Sequence, residues 1–164
     1  MHRLALAAFL ILAAGVHADD DALYQKHRLR FTEVDGKFLP LPVIPKKIEP
    51  IANLKAPIKI GTVGSTRALV NRIRPGDDDL VVNLLAPGTN RPQMLMRIKG
   101  HATKGLIDGE TIELLNIVVV DTCDVQLTNG ASQKIFLAVT AEKARAGLTK
   151  EQFAELQKQG VKLD

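Results

Sequence analysis

The residues best suited to chemistry lie in one glycine-rich segment, Gly100–Gly109, which contains His101, Thr103, Lys104 and Asp108. Glycines permit positive φ angles and close approach of the backbone to a ligand, so this segment is able to act as a binding loop. The same residues also build ordinary turns, and an Asp-Gly pair is typical of the entry to a strand. Both interpretations stay open. A phosphate-binding loop is excluded, because no Gly-Lys-Ser/Thr sequence closes the segment.

Three arginines accompany this loop on a neighbouring predicted strand, Thr66–Arg74, whose β-branched content and turn boundaries favour an extended conformation. We expect the loop and this strand to form one binding surface. The predicted ligand-binding residues are His101, Thr103, Lys104, Asp108, Arg67, Arg72 and Arg74.

Catalytic and metal-binding patterns are weak in the rest of the chain. His27 and His101 are far apart in sequence, and neither belongs to a His-x-x-x-His pair. The acidic run Asp77–Asp79 lacks the spaced ligands of a calcium loop and is typical of a solvated turn. Ser65 has no Gly-x-Ser-x-Gly context. The sequence therefore predicts no catalytic residue, no metal, no cofactor and no enzyme activity.

Cys123 is the one cysteine of the chain, so no intramolecular disulfide forms. Strand alternation places its side chain on the same face as Val119 and Val125. We expect it to be a small buried side chain, which is how free cysteines usually behave. The alternatives are an intermolecular thiol and a nucleophile paired with His101, and no third catalytic member or local signature supports the pair.

The N-terminus has the pattern of a secretory signal peptide, residues 1–18. A basic start, Met1–Arg3, precedes the apolar stretch Leu4–Gly15, and small residues occupy the −3 and −1 positions of Val16–Ala18. The apolar stretch is shorter than the roughly 20 residues that a membrane-spanning helix needs. We therefore expect cleavage after Ala18, no transmembrane segment after cleavage, and a periplasmic or extracellular protein.

Composition narrows the classes of ligand. The formal net charge is +4, aromatic residues make up 4% of the chain, and tryptophan is absent. Mild basicity without a dense patch, together with few rings for stacking, argues against a nucleic-acid partner.

Between the signal peptide and the strands, residues 19–56 form an N-terminal segment and a proline-rich arm. The start, Asp19–Arg30, is either a short helix or a disordered lead, and Asp35-Gly36 predicts a hairpin. Four prolines in Leu39–Pro50 exclude a helix and a central strand. This arm is typical of a linker or a surface strap, and a docking peptide is the other interpretation.

Residues 57–140 have short β-branched and aliphatic runs separated by turn signals, which predicts a small barrel or sandwich of about six strands. A strand is expected from Ile58, followed by a turn at Gly64-Ser65, and an Asn129-Gly130 hairpin joins the last two strands. Residues 141–164 form a helical tail. Within it, Thr149 and Gln152 have the spacing of a capping box.

Part of this block resembles a small β-barrel module that recurs in exported bacterial proteins of unknown function. The matching features are Arg97–Gly100 at a strand end, Thr103–Gly109 after it, and a second hairpin ending in Ile135–Val139. The likeness covers about Ile58–Thr140. It implies an SH3-like or OB-like barrel, and it implies no reaction and no catalytic residue.

The sequence thus predicts a mainly β protein, with a small SH3-like or OB-like barrel, a proline-rich arm and a C-terminal helix. The function expected of it is that of a non-catalytic interaction module, with another envelope or extracellular protein as its partner. Two alternatives remain. One is electrostatic binding of an anionic polymer, either wall polysaccharide or nucleic acid, and the other is a small thiol enzyme that uses Cys123.

Overall fold

A computed structural model of the protein describes residues 19–51, 57–74 and 78–163. The predicted signal peptide and part of the acidic turn before Asp78 lie outside these residues. The elements in chain order are α1 (19–27), β1 (Phe31–Val34), β2 (Lys37–Pro40), β3 (Val63–Arg74), β4 (Asp79–Leu85), β5 (Pro92–Lys99), β6 (Thr111–Gln126), β7 (Ser132–Thr140), α2 (Ala141–Ala146) and α3 (Lys150–Lys158). None of the helices in this part of the chain is long and apolar enough to cross a membrane.

Five strands close into a barrel in the order β3-β4-β5-β7-β6, and β6 pairs with β3 to complete the ring. All neighbouring strands are antiparallel except β5 and β7, which are parallel. The remaining two strands, β1 and β2, form the hairpin predicted at Asp35-Gly36. The predicted mainly β barrel with a C-terminal helix is confirmed, with five barrel strands where about six were expected.

The barrel interior is filled by aliphatic side chains from alternate strand positions. Leu80, Val82 and Leu84 of β4 point inward with no exposed surface, and Met96 and Ile98 of β5 meet them there. Close packing of such side chains supplies most of the hydrophobic stabilisation.

Register shifts bend the two longest strands. One shift lies between Thr66 and Ala68 where β3 meets β6, and another lies between Val119 and Asp121 where β6 meets β7. Because side chains alternate across a sheet, an irregularity of this kind moves the following residues to the other face. Val119 lies in the barrel interior, whereas Cys123 packs outside it. The prediction that Cys123 shares a face with Val119 was therefore wrong, whereas the face predicted for Cys123 and Val125 is confirmed.

Two further strand boundaries differ from expectation. Gly64 and Ser65 lie inside β3 and form no turn, while Ile58 and Lys59 have no regular structure and Ile60 and Gly61 form a turn. Gly64 is needed here for close packing: a Cβ atom at this position would overlap the side chain of Ile51. The glycine that is typical of a turn is therefore explained here by the close contact between β3 and the segment containing Ile51.

The proline-rich arm packs on the barrel as a strap. Leu41, Ile44 and Ile48 cover the outer face of β6 and β7 beside α2. The arm then meets β3, where the amide of Ile51 donates to the carbonyl of Ser65 at 2.8 Å. Of the two interpretations of this segment, the structure shows the surface strap.

The two ends of the described chain meet in a second apolar cluster, which we call the terminal cluster. Leu148 caps it from the α2–α3 connection, and its amide donates to the carbonyl of Arg28 at 2.9 Å. Helix α3 begins with the predicted capping box of Thr149 and Gln152. The members of the terminal cluster are Leu23, Tyr24, Phe31, Phe38, Leu148, Phe153, Leu156, Val161 and Leu163.

Candidate functional site

A groove of about 420 Å³ opens on the outer surface of the barrel, and we call it the β4–β5 groove. Its floor is apolar and its rim is polar, with amide, hydroxyl and charged side chains. The residues that line it are Asn71, Arg72, Val81, Leu95, Asp108, Val125, Gln126, Leu127, Thr128 and Asn129.

One wall of the groove comes from the end of β3 and the loop after β5. A register shift between Val70 and Arg72 leaves Asn71 as an extra residue in β3, and a bulge of this kind bends the strand locally. The loop is fixed beside it because the Gly109 amide donates to the Val70 carbonyl at 2.8 Å. These contacts place Arg72 and Asp108 at the same rim.

The opposite wall is the end of the β6–β7 hairpin. Val125 and Ile135 pack against Val81 of β4, with Leu95 of β5 and Cys123 at the edge of the same cluster. The predicted hairpin turn then holds its shape because Asn129 Oδ1 accepts from the Ala131 amide at 3.0 Å. This arrangement presents the side chains of the turn to the groove.

The predicted ligand-binding residues are distributed over several places. Arg72 and Asp108 line the β4–β5 groove, whereas the lining does not include His101, Thr103 or Lys104 of the same loop. The side chain of His101 is engaged locally, with Nδ1 at 2.9 Å from the Ala102 carbonyl.

The other two arginines are each beside a carboxylate. Arg67 forms a two-point ion pair with Glu113, with N–O distances of 2.9 and 3.1 Å. The hydrogen bond from Arg67 lowers the pKa of Glu113. Arg74, the last residue of β3, has a guanidinium nitrogen 3.9 Å from a carboxylate oxygen of Asp79. The three arginines of this strand therefore do not form one positive patch.

Sequence reasoning missed an ion cluster of Asp79, Arg97, Lys99 and Asp35, in which Asp79 is buried and Asp35 is exposed. Asp79 is fully buried, and Arg97 contacts both of its oxygens, the shorter distance being 2.7 Å. Arg97 also donates to Asp35 at 2.8 Å, and Lys99 is 3.2 Å from the same carboxylate. The cluster thus joins the β1–β2 hairpin to the barrel. The sequence does show that Arg97 and Lys99 lie on the same face of one strand. It does not show their partners, because Asp35 and Asp79 come from two other segments.

The charges within the ion cluster reinforce one another. The hydrogen bond to Asp79 raises the pKa of Arg97 above its usual value, against the effect of burial. Burial opposes ionisation of Asp35, yet the hydrogen bonds and charges of Arg97 and Lys99 outweigh it and lower the pKa of that carboxyl. Both groups are therefore charged at neutral pH.

Cys123 is half-buried beside Arg97. Burial raises the pKa of its thiol, and the charge of Arg97 only partly opposes that effect. A thiol with a raised pKa is a poor nucleophile because the thiolate is the reactive form. Across the described ranges, no three His, Cys, Asp or Glu side chains are grouped as metal ligands.

Comparison with known proteins gives no assignment: no family model, no curated protein and no solved structure matches this chain.

Proposed function

We propose that the protein is an exported, non-catalytic binding module that takes its ligand in the β4–β5 groove. The observation that carries this proposal is that β3, the loop after β5 and the β6–β7 hairpin bring Arg72, Asp108 and three amide side chains together over one apolar floor. A concave apolar surface with a few convergent polar groups is the usual form of a ligand site.

The barrel topology supports an OB-like assignment in preference to an SH3-like one. OB folds are five-stranded Greek-key barrels that bind ligands on the second and third strands, between the loops joining strands 1–2 and 4–5. Here the second and third barrel strands are β4 and β5, and the turn joining the fourth and fifth strands supplies Thr128 and Asn129. The β4–β5 groove occupies the corresponding position.

The lining favours a polypeptide ligand over a nucleic acid or a sugar. No aromatic ring is among the described residues that line the groove, so the stacking that binds bases and sugars is missing there. The amide groups of Asn71, Gln126 and Asn129 are both donors and acceptors, which suits peptide groups. Arg72 and Asp108 add one charge of each sign. The partner that fits is a segment of another envelope or extracellular protein.

The alternative of an anionic polymer has less support. Arg67, Arg74 and Arg97 each lie beside a carboxylate, which reduces the positive potential that a polymer would meet. Polymer binding would weaken steeply with added salt, whereas binding in an apolar groove would change little.

The test is a pull-down from a detergent-solubilised envelope extract of the source organism, with bound material identified by mass spectrometry at low and high salt. A bait with Arg72→Ala and Asp108→Ala removes both charges of the groove rim. We expect a protein that the wild type captures at both salt concentrations to be lost from this bait.

The matched control carries His101→Ala and Lys104→Ala, two substitutions in the same loop at residues that do not line the groove. This control should capture the partner as the wild type does. If the control loses the partner and the groove bait keeps it, the site is the loop and not the groove. Capture of polymer that is lost at high salt would replace the proposal with the electrostatic alternative.

A further inference from the structure

A second groove, of about 610 Å³, lies where the end of α1, the strap and α2 meet. Its rim carries two apolar side chains that project into solvent. Val43 is 94% exposed and Leu29 is 49% exposed. Exposed aliphatic side chains beside an apolar groove are an interaction surface when they are clustered, whereas isolated ones are ordinary. We call this the Val43 surface.

The tip of the Val43 surface is held rigidly. Pro42 and Pro45 flank it and restrict its backbone angles. Arg145 of α2 donates to the carbonyl of Pro45 at 2.7 Å, and the Leu41 amide donates to the Arg30 carbonyl at 2.8 Å. The exposure of Val43 is therefore a fixed property of the fold.

Positive charge surrounds the same surface. Arg30 and Arg145 line the groove, Arg28 precedes Leu29, and Lys46 follows Pro45. Arg145 hydrogen-bonds to the carbonyls of Pro45 and Lys46, and Arg28 to that of Ala146, so these bonds do not neutralise the guanidinium charges. No carboxylate is among the described residues that line the groove. The surface is complementary to an apolar body with negative charge around it.

We infer that the Val43 surface docks onto an anionic phospholipid bilayer, with Val43 and Leu29 entering the boundary between headgroups and acyl chains. The basic side chains then lie at the level of the headgroup phosphates. Interfacial binding combines buried apolar area with attraction to anionic lipid in this way. An extended peptide is disfavoured as the occupant, because the strap prolines lack the amide donors that pairing with a strand requires.

The experiment is vesicle co-sedimentation. The chain is expressed at full length, and the form that accumulates is purified and its N-terminus determined. It is mixed with vesicles of equal parts phosphatidylglycerol and phosphatidylcholine, or of phosphatidylcholine alone. We expect binding to the anionic vesicles only, and weaker binding as salt rises.

Two substitutions test the residues separately. Val43→Ser should lower the partition coefficient onto anionic vesicles about tenfold, because it removes an inserting aliphatic side chain. The substitution should leave the fold intact, because Val43 is almost fully exposed. Lys46→Gln should lower it about fivefold through the loss of one basic charge near the membrane. The matched controls are Leu114→Ser, another exposed aliphatic residue, and Lys134→Gln, and both should bind as the wild type does.

Several results would overturn the inference. They are equal binding to neutral vesicles, equal loss in the matched controls, and no binding to either vesicle. If the wild type does not bind vesicles but is a dimer, and Val43→Ser converts it to a monomer, the occupant is a second copy of the chain. If an acidic amphipathic helical peptide binds the wild type and vesicles do not, the occupant is a protein.

Discussion

The barrel and the terminal cluster are built by different means. The barrel interior is aliphatic and is enclosed by strands that each hydrogen-bond to two neighbours. The terminal cluster contains Tyr24, Phe31, Phe38 and Phe153, and its segments come from opposite ends of the described chain. The barrel is thus held by a closed backbone network, while the terminal cluster is held by side-chain packing and a few long-range bonds.

This difference bears on how each region opens. A closed sheet has no free edge at which one strand can leave without breaking two sets of hydrogen bonds. The two segments of the terminal cluster can separate by breaking contacts such as the bond from Tyr24 Oη to the Leu148 carbonyl, at 3.0 Å. We expect the barrel to unfold as a unit and the terminal cluster to open locally at lower free energy.

The largest expected effect comes from the same leucine-to-alanine substitution made in each of the two regions. Leu84 in the barrel and Leu156 in the terminal cluster are both fully buried. Leu84→Ala should lower the global free energy of unfolding by about 4 kcal/mol. Leu156→Ala should cost about 3 kcal/mol but mainly promote local opening.

Urea unfolding and amide hydrogen exchange distinguish the two outcomes. In Leu156→Ala, exchange should accelerate at the Leu148 amide and stay slow at the Val119 amide, which donates to the Thr62 carbonyl. Equal acceleration at both amides would mean that the two regions form one cooperative unit.

The second test concerns the ion cluster that joins the two regions. Arg97→Met leaves the buried carboxylate of Asp79 without its shortest contact and removes one of the two ion pairs of Asp35, leaving that with Lys99. Removing one partner of a buried pair is strongly destabilising, so we expect a loss of about 3 kcal/mol by urea unfolding. Arg67→Met is the matched control, because its pair with Glu113 is solvent-exposed and should contribute nothing measurable. Similar losses in both variants would show that burial does not set the strength of these pairs.

The comparison also shows what sequence can provide. The barrel and its turns could be predicted because alternation and Asn-Gly or Asp-Gly pairs are local signals. The register shift after Val119 has no local signal, so alternation wrongly predicts that Cys123 shares a face with Val119. The sequence wrongly predicts a turn at Gly64, because the need for glycine there arises from Ile51 on a different segment.

The candidate site was predictable only in part for the same reason. The loop containing Asp108 lies beside the strand containing Arg72, but local sequence could not show that His101 and Lys104 lie outside the groove lining. Strand order decides which distant residues converge, and here a parallel pairing of β5 and β7 sets that order. The amide side chains of the β6–β7 turn were therefore missed.

The third test concerns Gly147, a glycine that allows the α2–α3 connection to lie against Arg28. Gly147 has φ +70°, and a Cβ atom there would lie 2.6 Å from the Arg28 carbonyl oxygen. Gly147→Ala should cost about 2 kcal/mol, from the left-handed backbone together with the overlap. Gly160 has the same φ with open space around it, so Gly160→Ala should cost about 1 kcal/mol. Equal midpoints of urea unfolding for the two variants would show that the approach of the two segments contributes nothing.

The smallest expected effect is a pH dependence that belongs to the N-terminal side of the molecule. His27 is fully buried, and its Nδ1 lies 3.2 Å from the Arg30 guanidinium, which can only donate. Burial lowers the pKa of His27 below its usual 6.5, and the charges of Lys26 and Arg30 add to that effect.

At pH values above about 6.5 the ring is neutral in both the folded and the unfolded chain, so stability is constant there. As the pH falls below that value the unfolded chain takes up the proton first, and the free energy of unfolding declines. We expect His27→Phe to flatten this decline between about pH 6.5 and 5.5. A decline of equal slope in His27→Phe would assign the pH dependence to other groups and leave the buried imidazole as a packing residue only.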